Sequence, residues 1–445
     1  MRFEEIKKLL FSAAEQAGLT EYDVYYRMDE AESAEALNGA PDACSSGTSG
    51  GVCFRCVVNG RLGSASTQYM DESKLELLVS RAIANAAVIE TEEEPILFAG
   101  AEKDAYRTVK NDLPDFPGVA ELRRVAMELQ RQLYAASPMM TDGTSSSAGA
   151  SRVHVAFANS KGVDLSNDYG AVMTYVEPII NDGKEPSFAD AMAQTLETDT
   201  DLVRRATDEA IARLGAGLVK TGKYDVIFDR RRVRSLLSYY KSIFSGKAAL
   251  QGLSLLAGKE GKKIASDLLT VVDDPFYTEN PAKTAFDAEG VPTKEKTLVE
   301  GGVLKTLLYD LTNAKKAGVE STGNAARGYA DPVSVAPYCL RIVAGKESRE
   351  ELIARMENGL YVTEMKGLHS GANAVTGDFS IESAGFLVEN GRITRPVHSF
   401  TVAGNFFELL LAIDGVADNV EMGYPGISTV AAPDILVRGL SVAGE

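Results

Sequence analysis

Three dipeptides, Asn59-Gly60, Gly301-Gly302 and Asn390-Gly391, constrain the fold of this chain more than any other feature, because each lies between runs of apolar and β-branched residues. A two-residue hairpin turn of the favoured type needs positive φ at both central positions, which glycine adopts freely and asparagine tolerates. GVCFRCVVNGRLGSAS and GFLVENGRI therefore read as strand, turn and strand, as do Leu298 to Leu304 around the glycine pair. Such a chain builds antiparallel sheet in both halves.

Helical spacing supplies the rest of the first half. Phe3, Ile6, Leu10, Ala13 and Ala17 share one face of a helix that Gly18 stops, and Glu21 to Met28 then alternates like a strand. A second helix starts at Asp71 as N-cap and buries Leu75, Leu78, Ala82 and Ala86. A similar pass follows: a helix over Leu122, Val125, Leu129 and Leu133, a Ser-rich segment, a strand from Val153 to Ala158, a turn at Asn159 to Gly162, and a helix over Leu202, Ala206, Ala210 and Leu214. The repeated order suggests an internal duplication. SSGTSGG, at Ser45 to Gly51, has neither the lysine nor the following helix of a phosphate-binding loop, and is expected to be a flexible connection.

Gly215 to Gly222 marks a domain boundary. The expected class is α+β, with an N-terminal α+β domain over residues 1–218 and a mainly antiparallel β domain, curved or barrel-like, over residues 219–445. In the latter, Tyr224 to Asp229 reads as a buried strand and RRVRSLLSYYKSIF as a helix with Val233, Leu236, Leu237, Tyr240 and Phe244 on one side. Ser348 and Glu351 form a capping box for ELIARMEN, which Gly359 ends.

Composition excludes several functions. A net charge of -17 over 445 residues opposes non-specific nucleic-acid binding, which needs basic surface to neutralise phosphates. MRFEEIKKLLFSAAEQAG lacks an apolar signal core, and no run approaches the roughly 20 apolar residues of a membrane span, so a cytoplasmic location away from membranes is expected. Cys53 and Cys56 form a C-x-x-C inside a strand, where residues three apart point to opposite faces, so a shared metal is not expected. Asp273-Asp274 and Asp287-x-Glu289, flanked by Pro275, Pro281 and Gly290, read as turn formers that accept backbone hydrogen bonds rather than as acid/base pairs.

The stretch from Asp273 to Gly328, with GLHSGANAVTGDFS at Gly367 to Ser380 and PVHSFTVAGNFFELL at Pro396 to Leu410, resembles the TldD/PmbA family, also called modulators of DNA gyrase. One branch of that family, TldD, is a metallopeptidase whose zinc helix carries His-Glu-x-x-x-His, completed by a cysteine near the C-terminal end. A helical zinc site needs two imidazoles on one helix face beside a carboxylate. This chain has three histidines, His154, His369 and His398, none followed by glutamate or close to another, and no cysteine after Cys339. Matching KKIASDLLTVVDDP to the family pattern places the motif near Leu237 to Ser242, which here reads Leu-Ser-Tyr-Tyr-Lys-Ser.

The resemblance therefore implies the TldE/PmbA branch, with no catalytic or metal-binding residue in this chain. It implies a heterodimer with a TldD-like peptidase subunit that holds the zinc, a homodimer when that partner is absent, and unfolded or ribosomally made peptides as substrate. Tyr239, Tyr240, His369, Asn373 and His398 are the candidates to line a peptide groove. Two other readings stay open: a diverged stand-alone metallopeptidase, and a regulatory protein acting on DNA gyrase or a toxin–antitoxin system.

Overall fold

The computed structural model describes residues 1–90 and 94–445. Its first sheet contains β1 (Tyr22–Leu37), β2 (Ala40–Val58), β3 (Arg61–Thr67), β4 (Ser145–Asn159), β5 (Asp164–Glu177) and β6 (Ala191–Ala193), in spatial order β3-β2-β1-β4-β5-β6. Helices α1 (Phe3–Gln16) and α2 (Glu72–Val88) flank the first three strands, and α3 (Val119–Ala136) and α4 (Leu202–Ala212) flank the others. The order helix, strands, helix thus occurs twice, and the two passes meet at the antiparallel β1–β4 pair, from Asp23 opposite Asn159 to Leu37 opposite Ser145. Asp71 caps α2 as its sequence indicates, its carboxylate accepting from the Lys74 N–H at 3.2 Å.

The period-two geometry of the strands sorts side chains between the two faces of this sheet. Val24, Tyr26, Val52, Phe54 and Cys56 pack under α1 and α2, while Ala34, Ala148 and Val176 pack under α3 and α4. On the opposite face Tyr25, Cys53, Val155 and Phe157 meet Phe286, Ala288 and Ala325 from the second half. Cys53 and Cys56 therefore diverge, one to each face.

The first strands are longer than their apolar patterns indicate. Ser45 to Gly51 is not a flexible connection: it lies within β2, paired residue for residue with β1 from Arg27 to Ser33. The β2 side of this arm is exposed from Ala40 to Ser49, so hydrophobic alternation could not report it. Its turn is Asn38-Gly39, with φ of 53° and 80°. Gly51 is required by packing, since a Cβ there would meet the Tyr329 ring at 2.3 Å. The Ser-rich segment before Val153 is likewise part of β4.

The second half begins with β7 (Gly222–Phe228) and α5 (Arg230–Tyr240). One sheet combines β8 (Val271–Asp273), β9 (Lys296–Glu300), β10 (Val303–Leu304), β11 (Cys339–Ile342), β16 (Glu421–Met422) and β17 (Thr429–Ala432) in the order β10-β9-β8-β11-β17-β16. The other contains β12 (Gly359–Lys366), β13 (Asp378–Glu389), β14 (Arg392–Asn405), β15 (Ile413–Val416) and β18 (Ile435–Ala443) with β7, in the order β14-β13-β12-β7-β18-β15. A further antiparallel pairing of Thr401 to Ala403 with Ser441 to Ala443 joins β14 to β18, closing β14, β13, β12, β7 and β18 into a five-stranded barrel. The pairs β7–β12 and β11–β17 are parallel.

Gly301-Gly302 and Asn390-Gly391 make the expected turns, all four residues at positive φ. The capping box of Ser348 and Glu351 is present on α7 (Arg349–Met356), for which α6 (Leu311–Ala317) is the preceding helix. Helix α7 ends at Met356, two residues before the end of ELIARMEN: Glu357 takes a φ of 63°, and Gly359 opens β12 where a Cβ would meet the Asp225 carbonyl at 2.2 Å. The helix over RRVRSLLSYYKSIF is also split, its last four residues, Lys241 to Phe244, tightening into a 3₁₀ turn.

Candidate functional site

Strand β7 ends in Asp229, and this residue organises a cleft of about 960 Å³ between α4 and β6 on one side and α5, β16 and the start of β17 on the other. Asp229 is the N-cap of α5, accepting from the Arg231 N–H at 2.8 Å, where the helix dipole and its free N–H groups favour a negative charge. Its other carboxylate oxygen accepts from the Tyr361 hydroxyl at 3.1 Å, and that hydroxyl also lies 3.4 Å from the buried Asp434. Burial disfavours the Asp229 anion, but Arg231 and Arg230 outweigh it and hold the carboxyl down at about 2. Asp434 is pushed up by burial and by the charge of Asp229, with Arg349 opposing at 2.8 Å.

Arginines dominate the cleft because α5 opens with Arg230, Arg231, Arg232 and Arg234 while its apolar stripe faces the core. Arg231 bonds Asp229 at 3.0 Å and Glu209 at 2.6 Å, and Arg213 shares Glu209 at 2.7 Å. Arg230 and Arg234 divide Glu421, at 2.7 and 3.0 Å. The Arg232 side chain makes no ion pair or hydrogen bond to any described residue, and its buried Nε is unsatisfied.

The groove candidates do not form one site. Tyr239 and His369 line the cleft, the Tyr239 hydroxyl donating to the Ala372 carbonyl at 2.5 Å. Tyr240 must be withdrawn as a groove residue: it is fully buried, stacked on Phe406 with ring centroids 4.1 Å apart, because its position on α5 belongs to the apolar stripe. Asn373 braces its own turn, its side-chain oxygen accepting from the N–H groups of Val375 and Thr376. His398 lies in a separate pocket beside Arg213 and Glu364, its Nδ1 2.8 Å from the Ser399 hydroxyl.

Zinc does not fit the turn Leu237 to Ser242. Leu237 and Tyr240 are core residues, and Ser238, Tyr239, Lys241 and Ser242 bring no imidazole, thiolate or carboxylate. Among the described residues no three His, Cys, Asp or Glu side chains converge as a metal site. The candidate acidic pairs act as turn formers: Asp274 accepts from the Phe276 N–H, and Asp287 from those of Glu289, Val291 and Ala325. Asp273 instead meets the Tyr338 N–H and Lys296.

The arginine run of α5 is the feature that sequence reasoning passed over. Its signal was the block Asp-Arg-Arg-Arg-Val-Arg at 229 to 234, directly after a buried strand, where charges close to a core must converge on something.

An α+β half joined to a five-stranded barrel, with this cleft between them, defines a mixed α/β architecture. Models of the PmbA/TldA metallopeptidase domain 1, central domain and C-terminal domain match residues 22–86, 112–214 and 221–444. The chain belongs to the PmbA/TldD family. It is 28% identical to the metalloprotease PmbA homolog of Haemophilus influenzae over 86% of this chain and 83% of that protein. It is 29% identical to a metalloprotease of Methanothermobacter thermautotrophicus over 87% and 85%. The crystal structure of a putative modulator of a DNA gyrase from Thermotoga maritima superposes with a TM-score of 0.89 at 29% identity, covering 99% of this chain and all of that one. TldE from Thermococcus kodakarensis shares the fold, with a TM-score of 0.88 at 24% identity over 99% and 100% of the two chains. Among the described residues no helix is long and apolar enough to cross a membrane.

Proposed function

We propose that this chain is the non-catalytic, TldE-like subunit of a cytoplasmic two-subunit zinc metallopeptidase. A TldD-like partner holds the zinc and cleaves unfolded or ribosomally made peptides, while this chain stabilises the partner and closes the cleavage chamber. The observation that carries the reading is the turn Leu237 to Ser242 on α5, which has no metal-binding side chain in a chain that matches the family along most of its length. Without an imidazole pair and a carboxylate, the turn cannot bring a metal and a general base to one water.

The names of the curated relatives favour a second reading, cleavage by the chain itself from a differently built site. Elemental analysis for zinc, with cleavage of an unstructured peptide, separates the two when done on the chain alone and on the chain co-expressed with a TldD-like protein. Metal and activity confined to the co-expressed complex fit the subunit reading. Stoichiometric metal and chelator-sensitive cleavage by the chain alone contradict it.

A further inference from the structure

We propose that the arginine-lined cleft is a carboxylate-binding site, with Arg232 as its anchor, and that its ligand is the carboxylate of an extended peptide, supplied by the C-terminus or by an acidic side chain. This rests on the peptide-handling reading above and adds to it the charge of the peptide selected.

The cleft inverts the charge of the molecule. Seven arginines and five carboxylates line it, in a chain whose net charge is -17. The acids that touch α5 are already engaged: Glu209 by Arg213 and Arg231, Glu421 by Arg230 and Arg234, Asp229 by Arg231 and Tyr361. Arg232 is the arginine of the run left over. It is half-buried, its guanidinium is unpaired among the described residues, and it faces a cavity. Burial and the adjacent charge of Arg231 weaken its hold on its proton, against the opposing charges of Asp229 and Asp190. An uncompensated guanidinium in such a place costs stability, and an incoming carboxylate removes that cost by forming charge-assisted hydrogen bonds.

The cavity suits a peptide better than a small ion. Its volume is at the upper end of the roughly 300–1,000 Å³ typical of ligand sites. Its walls add Met192, Tyr239, Leu368, Phe386 and Tyr424 around the charged floor. Apolar and aromatic walls take side chains flanking the anchored carboxylate, for which inorganic phosphate has no counterpart.

Fluorescence anisotropy on the isolated full chain tests this with three labelled forms of one Gly/Ser/Ala peptide: free C-terminal acid, C-terminal amide, and the amide with one internal glutamate. The acid, the glutamate peptide, or both should bind about tenfold more tightly than the neutral amide at low salt. Which of them does so identifies the source of the carboxylate. Arg232→Gln should abolish the difference and Arg232→Lys retain part of it. Arg232→Gln should also raise the melting temperature, since no partner is lost. Equal binding of all three peptides, an unchanged preference in Arg232→Gln, or binding of inorganic phosphate without peptide discrimination would overturn the proposal. None of these results depends on a TldD-like partner or on zinc, so failure here is distinguishable from failure of the subunit reading.

Discussion

Asp229 shows how much one side chain can organise. It caps α5, pairs with Arg231 and accepts from Tyr361, and these contacts sit at the junction of barrel and cleft. Asp229→Ala removes the cap and leaves Arg231 with Glu209 as its one remaining carboxylate, so it should cost stability near the low end of the roughly 3–5 kcal/mol for a broken buried pair, read as a lowered urea midpoint with an unchanged slope. A loss below about 1 kcal/mol would mean that the cluster is far more solvated than its burial indicates.

A second prediction at this scale concerns Asp287. Burial, and then the charge of Glu289, push the Asp287 carboxyl up to about 7, while Glu289 is raised chiefly by burial against the pull of Arg55. A folded-state pKa above the unfolded value of about 3.9 means that the native state binds the proton more tightly. The stability this adds is complete below about pH 4 and is lost as pH rises to about 7. Asp287→Asn should therefore flatten the decline of melting temperature between those limits. Identical pH profiles for the two proteins would contradict the assignment.

Among the elements, glycine marks where backbones must approach. In β13, a Cβ on Gly385 would meet the Tyr361 carbonyl of β12 at 2.0 Å, beside the register shift between Ser383 and Gly385. Gly385→Ala should destabilise by an amount near the top of the roughly 1–3 kcal/mol range for overpacking, measured by thermal or urea unfolding. The positive-φ turns at Asn59-Gly60, Gly301-Gly302 and Asn390-Gly391 were legible in the sequence because only a few residue types tolerate that conformation. Asn38-Gly39 carried the same signal, but β2 beyond it is exposed from Ala40 to Ser49 and lacks the alternation that usually confirms a hairpin. The helix of α5 was legible for its apolar stripe, and the same emphasis hid its arginine face. Tyr239 and Tyr240 are both groove candidates by sequence, whereas helical phase puts Tyr240 in the core and Tyr239 beside the cleft.

At the scale of the whole molecule, the α+β class and the barrel-like second half followed from local patterns, but the closure of β14 on β18 did not. That contact joins residues near 402 and 442, and no local periodicity encodes it. Nor could periodicity show that the helix-free face of the first sheet packs on the segment around Phe286, or that a cleft forms between the two halves. The site emerges from these long-range contacts, while the missing metal ligands are readable residue by residue.

The central claim is that this chain supports a zinc peptidase without holding the zinc. The most direct test is to measure zinc content and cleavage of an unstructured peptide for this chain alone and when co-expressed with a TldD-like protein. The account predicts neither metal nor cleavage for the chain alone, and both for the co-purified pair. One zinc per chain, with chelator-sensitive cleavage in the absence of any partner, would contradict it.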